Sequence, residues 1–223
     1  MNRIVLITAP ANEPVTLAEV KSQARIYTTA DDSFITSVII AAARAAIETE
    51  TRRAFVTQTW KLLLDNFPIA DPTYHENGYM PIVLPKPPAQ SITSFTYYDT
   101  AGVQQTLTAT QANGDMADNT VIYGYQLDPG SETQPGRLLP PWAKPWPPTR
   151  RIPNAVAITF VAGYGDLVGG NWTPRAIPTE LKQAILLQAA HFYENREAIS
   201  ADGKKELARG VASLIGPYIN EVA

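Results

Sequence analysis

Prolines are crowded into the middle of the chain. Fourteen of the 19 fall between Pro68 and Pro153. Proline lacks an amide hydrogen and its ring clashes with the preceding helical turn, so that stretch has no room for long uninterrupted helices. Charge divides the chain in the same place. Of 39 charged residues (18 basic, 21 acidic), 13 lie within 68–173 and 26 in the other 117 positions. Two flanks suited to helix therefore enclose a proline-rich, charge-poor middle. The expected fold class is α+β. Residues 1–56 and 174–223 would form the two parts of a four-helix core, and 57–173 a β-rich, proline-rich insertion between them.

The flanks carry explicit helix signals. In Pro14-Val15-Thr16-Leu17-Ala18-Glu19, Thr16 reads as the N-cap and Glu19 as its capping-box partner, with Val15 stapled onto Val20. This predicts a helix over about Leu17–Ile26. A second helix, capped by Asp31 or Asp32, is predicted to run to about Arg53. Its apolar rows are Phe34, Val38, Ala42, Ala45 and Ile35, Ile39, Ala42, Ala46. Pro178 suits the first turn of a third helix, Thr179 to Ala198, apolar on nearly every side and therefore central. After a turn at Ser200–Gly203, a last helix puts Leu207, Val211 and Leu214 on one face and stops at Gly216-Pro217. Val38, Ile39, Ile185, Phe192, Leu207 and Leu214 are expected to share one core.

Strand patterns recur in the insertion: Thr57–Leu64, Ile82–Leu84, Ser91–Tyr98, Val103–Thr108, Val121–Leu127 and Ala155–Val161. Asp99-Thr100-Ala101-Gly102 predicts a hairpin turn. The segment Asp128 to Arg151 has no regular pattern, and a loop of that length in a compact domain is usually functional or mobile.

Catalysis has no visible carrier. There is no cysteine, which removes thiolate nucleophiles, disulfides and Cys-ligated metals together. His75 and His191 do not make an HExxH pair. His191 and Glu194 lie three apart, but a di-iron bundle needs two Glu-x-x-His motifs. Glu48 and Glu50 point in different directions on a helix, and no Gly-x-Ser-x-Gly elbow exists. Gly163-Tyr164-Gly165 follows a strand but precedes no helix, so a turn is expected rather than a phosphate loop. No catalytic residue, cofactor or metal is expected. The net charge of −3 gives no general attraction for phosphates, which argues against direct DNA binding. The apolar run Ile4–Ile7 is shorter than a signal-peptide core or a membrane span, so a soluble protein made in the cytoplasm is expected.

Two features remain that suit contacts with other molecules. Leu139-Pro140-Pro141-Trp142-Ala143-Lys144-Pro145-Trp146-Pro147-Pro148 combines polyproline with two indoles. They either fold onto the sheet or meet a partner. The C-terminal segment from Gly210, with Pro217, Tyr218 and Ile219, either docks into a neighbour or closes the chain's own core.

Taken along its whole length, the chain resembles the head-to-tail connector (head-completion adaptor) proteins of tailed bacteriophages, prophages and gene transfer agents. The resemblance is carried by Glu13-Pro14-Val15-Thr16-Leu17-Ala18-Glu19-Val20-Lys21, Asp31-Asp32-Ser33-Phe34-Ile35 leading to Ala42-Ala43-Arg44, and Thr57-Gln58-Thr59-Trp60. It continues through Leu84-Pro85-Lys86-Pro87-Pro88, Phe95-Thr96-Tyr97-Tyr98-Asp99, Ala162-Gly163-Tyr164-Gly165, Ile177-Pro178, the run from Ala190-His191-Phe192 to Arg196-Glu197, and Pro217-Tyr218. The chain departs from the family pattern at Ala24-Arg25-Ile26 and at Ile219, where a basic residue is usual. The resemblance implies a structural, non-enzymatic virion protein at the head-tail interface. It implies a ring, expected to be dodecameric, bound to the portal protein and to the next head-completion (stopper) or tail protein. DNA would pass through its channel unread, and no membrane is involved. The isolated chain is expected to be monomeric or weakly associated and to ring only on the portal. The partner-interface residues expected are Trp142, Trp146, Arg196, Pro217, Tyr218 and Ile219. The alternative is a carbohydrate- or cell-surface-binding module that stacks sugars on exposed Trp and Tyr of the insertion.

Overall fold

The computed structural model describes residues 3–68, 80–109, 124–131, 134–141, 144–168, 171–174, 176–195 and 209–220. Helices and sheets are both present, as an α+β chain requires. The chain divides into two compact units: Pro10–Thr57 with Tyr164–Glu221, and Met1–Ala9 with Gln58–Gly163.

The first of these units is helical. Helix α1 (Leu17–Ala24) starts as its capping box dictates: Glu19 N–H donates to the Thr16 hydroxyl at 3.3 Å, and Thr16 N–H donates to the Glu19 carboxylate at 2.9 Å. Such a cap contributes about 1 kcal/mol. Val15 and Val20 on either side are buried. Arg25 ends α1 in the left-handed region. The next helix has three parts in direct succession: α2 (Asp32–Phe34), a π-helical turn (Ile35–Ile39) and α3 (Ile40–Thr51). Then come α4 (Thr179–Glu194), which packs on α1, α3 and α5 (Arg209–Ile215), and a 3-10 turn at Gly216–Tyr218. The buried cluster draws Val20 from α1, Ile35 and Ile39 from the π turn, Ala43 and Ile47 from α3, Leu181 and Ile185 from α4, and Val211 and Ile215 from α5.

The π turn corrects the expected helix phase. In an α-helix, positions four apart drift by about 40°, because each residue advances about 100°. A wider i→i+5 turn takes up that drift. Ile35, Ile39, Ala43 and Ile47 consequently line up on the buried side, while Phe34, Val38, Ala42 and Ala45 all face out. Val38, expected in the shared core, is 47% exposed. Ile39 and Ile185 are buried, and Phe192 and Leu214 are partly buried against the same cluster. Leu207 and the turn at Ser200–Gly203 lie outside the described residues.

In the second unit, five strands form one antiparallel sheet: β1 (Arg3–Thr8), β2 (Gln58–Leu64), β9 (Val156–Ala162), β4 (Ala89–Tyr98) and β5 (Gln104–Thr106), in that spatial order. Strand β9 alternates buried and half-buried residues, the period-2 signature of a sheet with one packed face. Register places Leu62, Ile158 and Phe95 in one row and Leu64, Val156 and Tyr97 in the next, all buried. Four further short strands, β3 (Ile82–Val83), β8 (Arg137–Leu139), β7 (Gly124–Asp128) and β6 (Thr108–Ala109), make a second sheet. Asp99 and Gly102 close the β4–β5 turn as expected, with Gly102 at φ +86° and its N–H donating to the Asp99 carbonyl at 2.9 Å. Strands β1 and β8 were not expected from the sequence. The glycine-rich stretch after β9 is a hairpin of β10 (Gly165–Val168) and β11 (Asn171–Pro174), which belongs to the helical unit. Among the described residues, no helix is long and apolar enough to cross a membrane.

Candidate partner-binding surface

The polar framework of the helical unit converges on the C-terminal end of α3. Glu48 is buried within the last turn, where its carboxylate accepts from the Phe55 N–H at 2.7 Å and from Arg44 Nη1 at 2.6 Å. Arg44 also donates Nε to Glu13 at 2.7 Å. Burial works against the Arg44 charge, but hydrogen bonds and charge from Glu13 and Glu48 outweigh it and hold its pKa above the usual arginine value. Arg52 leaves the helix in the left-handed region. Arg53 then lies 1% exposed just past the helix end, where the carbonyl dipoles favour a cation.

The C-terminal segment is fastened at this point. Arg53 Nε donates to the Tyr218 carbonyl, and the Asn220 N–H donates to the Thr51 carbonyl at 3.0 Å. The Tyr218 hydroxyl donates to Glu180 at 3.2 Å. The main chain of residues 218–220 is thus bound to its own fold. Pro217 is exposed and Ile219 is 44% exposed, and they project from this anchored turn. In the sequence Glu48 is weighed only with Glu50, as a poor acid–base pair, and Arg53 only as the end of a helix. The signal present was their position, an acidic and a basic residue flanking a helix end.

The other expected interface residues are placed differently. Trp146 is 7% exposed; its ring stacks on Phe67 at 5.0 Å and tilts against Phe95 at 5.9 Å, and its Nε1–H donates to the Met80 carbonyl at 3.2 Å. The prolines beside it wall a groove of about 680 Å³ that also reaches Asp65 and Arg151. The indole is therefore committed to the β unit, which disfavours a sugar-stacking role for Trp146. Trp142 and Arg196 lie outside the described residues. Arg150 is exposed, but its guanidinium lies over Gly102, where a Cβ would come within 2.1 Å of Nη1. The guanidinium is the far end of a flexible side chain and can give way, so it is the φ of +86° that calls for glycine here.

The weaker constellations resolve locally. His191 Nδ1 sits 3.2 Å from the Asn195 amide nitrogen, and Glu194 is exposed. Glu50 is exposed while Glu48 is buried. The Gly163 N–H is taken by the Pro88 carbonyl at 2.9 Å, and the Gly163 carbonyl by the Gln90 amide at 2.9 Å. Among the described residues, no group of three or more His, Asp or Glu side chains is placed to hold a metal ion.

Comparison with known proteins shows likeness to structural proteins of phage-like particles. The model of the phage gp6-like head-tail connector protein family matches residues 14–94, which span α1, α3 and the first strands of the β unit. No curated protein matches the chain. Among solved structures, a chain in the neck of an empty gene transfer agent (GTA) particle, computed with C6 symmetry, aligns with a TM-score of 0.68 and 25% identity, covering 99% of this chain and 97% of that one. A chain in the virion of a native GTA particle aligns at 0.65 and 27%, covering 99% and 96%. A third, in a native GTA neck computed with C12 symmetry, aligns at 0.60 and 25%, covering 99% and 97%. The family model and the neck structures together bear out the resemblance drawn from the sequence: this chain is similar to the phage head-tail connectors.

Proposed function

We propose that this chain is a structural connector of a phage-like particle, positioned in the neck as a ring of copies between the portal and the next head-completion or tail protein. The observation that carries the reading is end-to-end similarity to chains of GTA necks, at 25% identity and TM-scores of 0.68 and 0.60. The match to the connector family model over residues 14–94 supports it. In this reading the helices of the two flanks form one four-helix core, and the β-rich, proline-rich part between them is the insertion. The protein resides in the virion and performs no chemistry. DNA crosses the ring without being read, which suits an acidic chain whose wall would not grip phosphates.

The portal-facing contact is assigned to the turn at Pro217, Tyr218 and Ile219. Arg53, Thr51 and Glu180 fix that turn from behind and leave Pro217 and Ile219 outward, so an apolar anchor is presented preorganised. Purified chain mixed with portal rings should co-sediment in many copies per ring, and Ile219→Asp should abolish this while leaving the helical circular dichroism unchanged. Failure of the unaltered chain to bind portal rings would contradict the connector reading. Undiminished binding by Ile219→Asp would contradict only the assignment of this turn.

A further inference from the structure

The outer face of the α2–π–α3 helix is built unlike a solvated surface. A surface helix ordinarily presents charged and polar residues to water. Here the outward residues include Phe34, Thr36, Ser37, Val38, Ala42 and Ala45, with Phe34 at 38% and Val38 at 47% exposed. From Ser33 through Ile47 the one charged residue is Arg44, and it turns away to Glu13 and Glu48. The hydroxyls on this face make little claim on water. Thr36 donates to the Asp32 carbonyl at 2.8 Å, Ser37 to Ser33 at 2.7 Å and Thr49 to Ala45 at 2.8 Å. Each bonds back one turn along its own helix. The π turn brings Ile35 and Ile39 onto the buried side, opposite Val38, and such turns occur frequently at functional sites.

We infer that this face is the seat of a second copy of the same chain, the contact between neighbours in the ring. The inference rests on the ring reading above and adds which surface makes it. A neutral face with no Lys or Arg offers nothing to DNA phosphates and no charge complementarity to an acidic or basic partner. Apolar and small residues instead suit close packing against another protein surface. The similar neck chains come from particles computed with C6 and C12 symmetry, and a cyclic symmetry repeats each chain around its axis. In a closed ring of more than two copies each contact is heterologous, so this face meets a different surface of the next copy.

A photo-crosslinking residue, benzoylphenylalanine, introduced at Val38 in particle-borne protein tests this. Irradiation should give a covalent adduct at twice the chain mass of 24.3 kDa, composed of this chain alone. An adduct with any other particle protein, or no adduct in particles that hold many copies, would overturn the assignment of this face and leave the ring intact. Quantitative mass spectrometry of the same particles supplies the copy number. A single copy per particle would overturn both the face and the ring. Val38→Glu, at an exposed position, should keep the fold and reduce the copies retained per particle at least tenfold. Coexpressed in equal amounts with the unaltered chain, it should hold tailed-particle yield below half, because it still offers its other ring surface. Normal retention would refute the inference.

Discussion

Adjacent residues Val38 and Ile39 give opposite outcomes if the π turn sets the helix phase as described. Ile39 is 5% exposed within the core cluster. Ile39→Ala removes the equivalent of three buried methylenes at about 0.8 kcal/mol each and leaves a cavity, for a loss of about 2–4 kcal/mol. Val38→Ala removes two methylene equivalents from a side chain that is 47% exposed, a loss of about 0.8 kcal/mol. Alanine's better helix propensity returns about 0.5 kcal/mol of this, leaving a few tenths. Urea unfolding followed by far-ultraviolet circular dichroism separates the two. With a slope of about 2 kcal/mol per molar urea, Ile39→Ala should lower the midpoint by about 1–2 M and Val38→Ala by less than about 0.3 M. Equal shifts, or a larger one for Val38→Ala, would refute the placement of the π turn and with it the outward apolar face.

Three further outcomes follow from the same contacts. Glu48→Ala should cost about 2–4 kcal/mol in urea unfolding, since it orphans the buried Phe55 N–H and removes one of the two carboxylates on Arg44, whereas Glu48→Gln, which still accepts from Phe55, should cost less. The hydrogen bond from Lys182 at 2.5 Å and that from the Thr16 N–H hold the Glu19 carboxyl below its ordinary 4.5, so its contribution is complete above that value and is lost as pH falls through the lower folded one; the pair is partly exposed, so Glu19→Gln, which preserves the capping box, should remove less than about 1 kcal/mol of acid-dependent stability. Trp146→Ala should destabilise the β unit by about 3–5 kcal/mol in thermal or urea unfolding, against the near-zero effect expected of a solvent-facing indole.

What was legible in the sequence was local. The Thr16–Glu19 cap, the Asp99–Gly102 turn and the alternation of β9 are each set by residues a few positions apart, and each formed where expected. The phase of the long helix was not legible, because the residues from Phe34 to Ala46 are apolar or small on several sides and the choice among them is made by packing. Strand β1 was missed because a four-residue apolar run does not by itself distinguish a strand, and it lies at a sheet edge, held by β2 from far along the chain. Trp146 sits among prolines that leave packing onto the sheet and contact with a partner both open, and Phe67 and Phe95, far from it in sequence, decide for packing. In the candidate site, Pro217, Tyr218 and Ile219 are suggested by the Gly-Pro stop, the tail after it and the resemblance, but Arg53 and Thr51, which anchor that turn, are not, since Arg53 reaches Tyr218 across 165 residues and Thr51 is as remote from Asn220.

The central claim is that the chain joins head to tail in a phage-like particle. Electron microscopy of particles from cells lacking its gene, with DNA content assayed on the same preparation, tests this most directly. The account predicts heads that package DNA but neither retain it nor carry tails, with both defects repaired by supplying the chain in trans. Tailed, DNA-filled, infectious particles made without it would contradict the account.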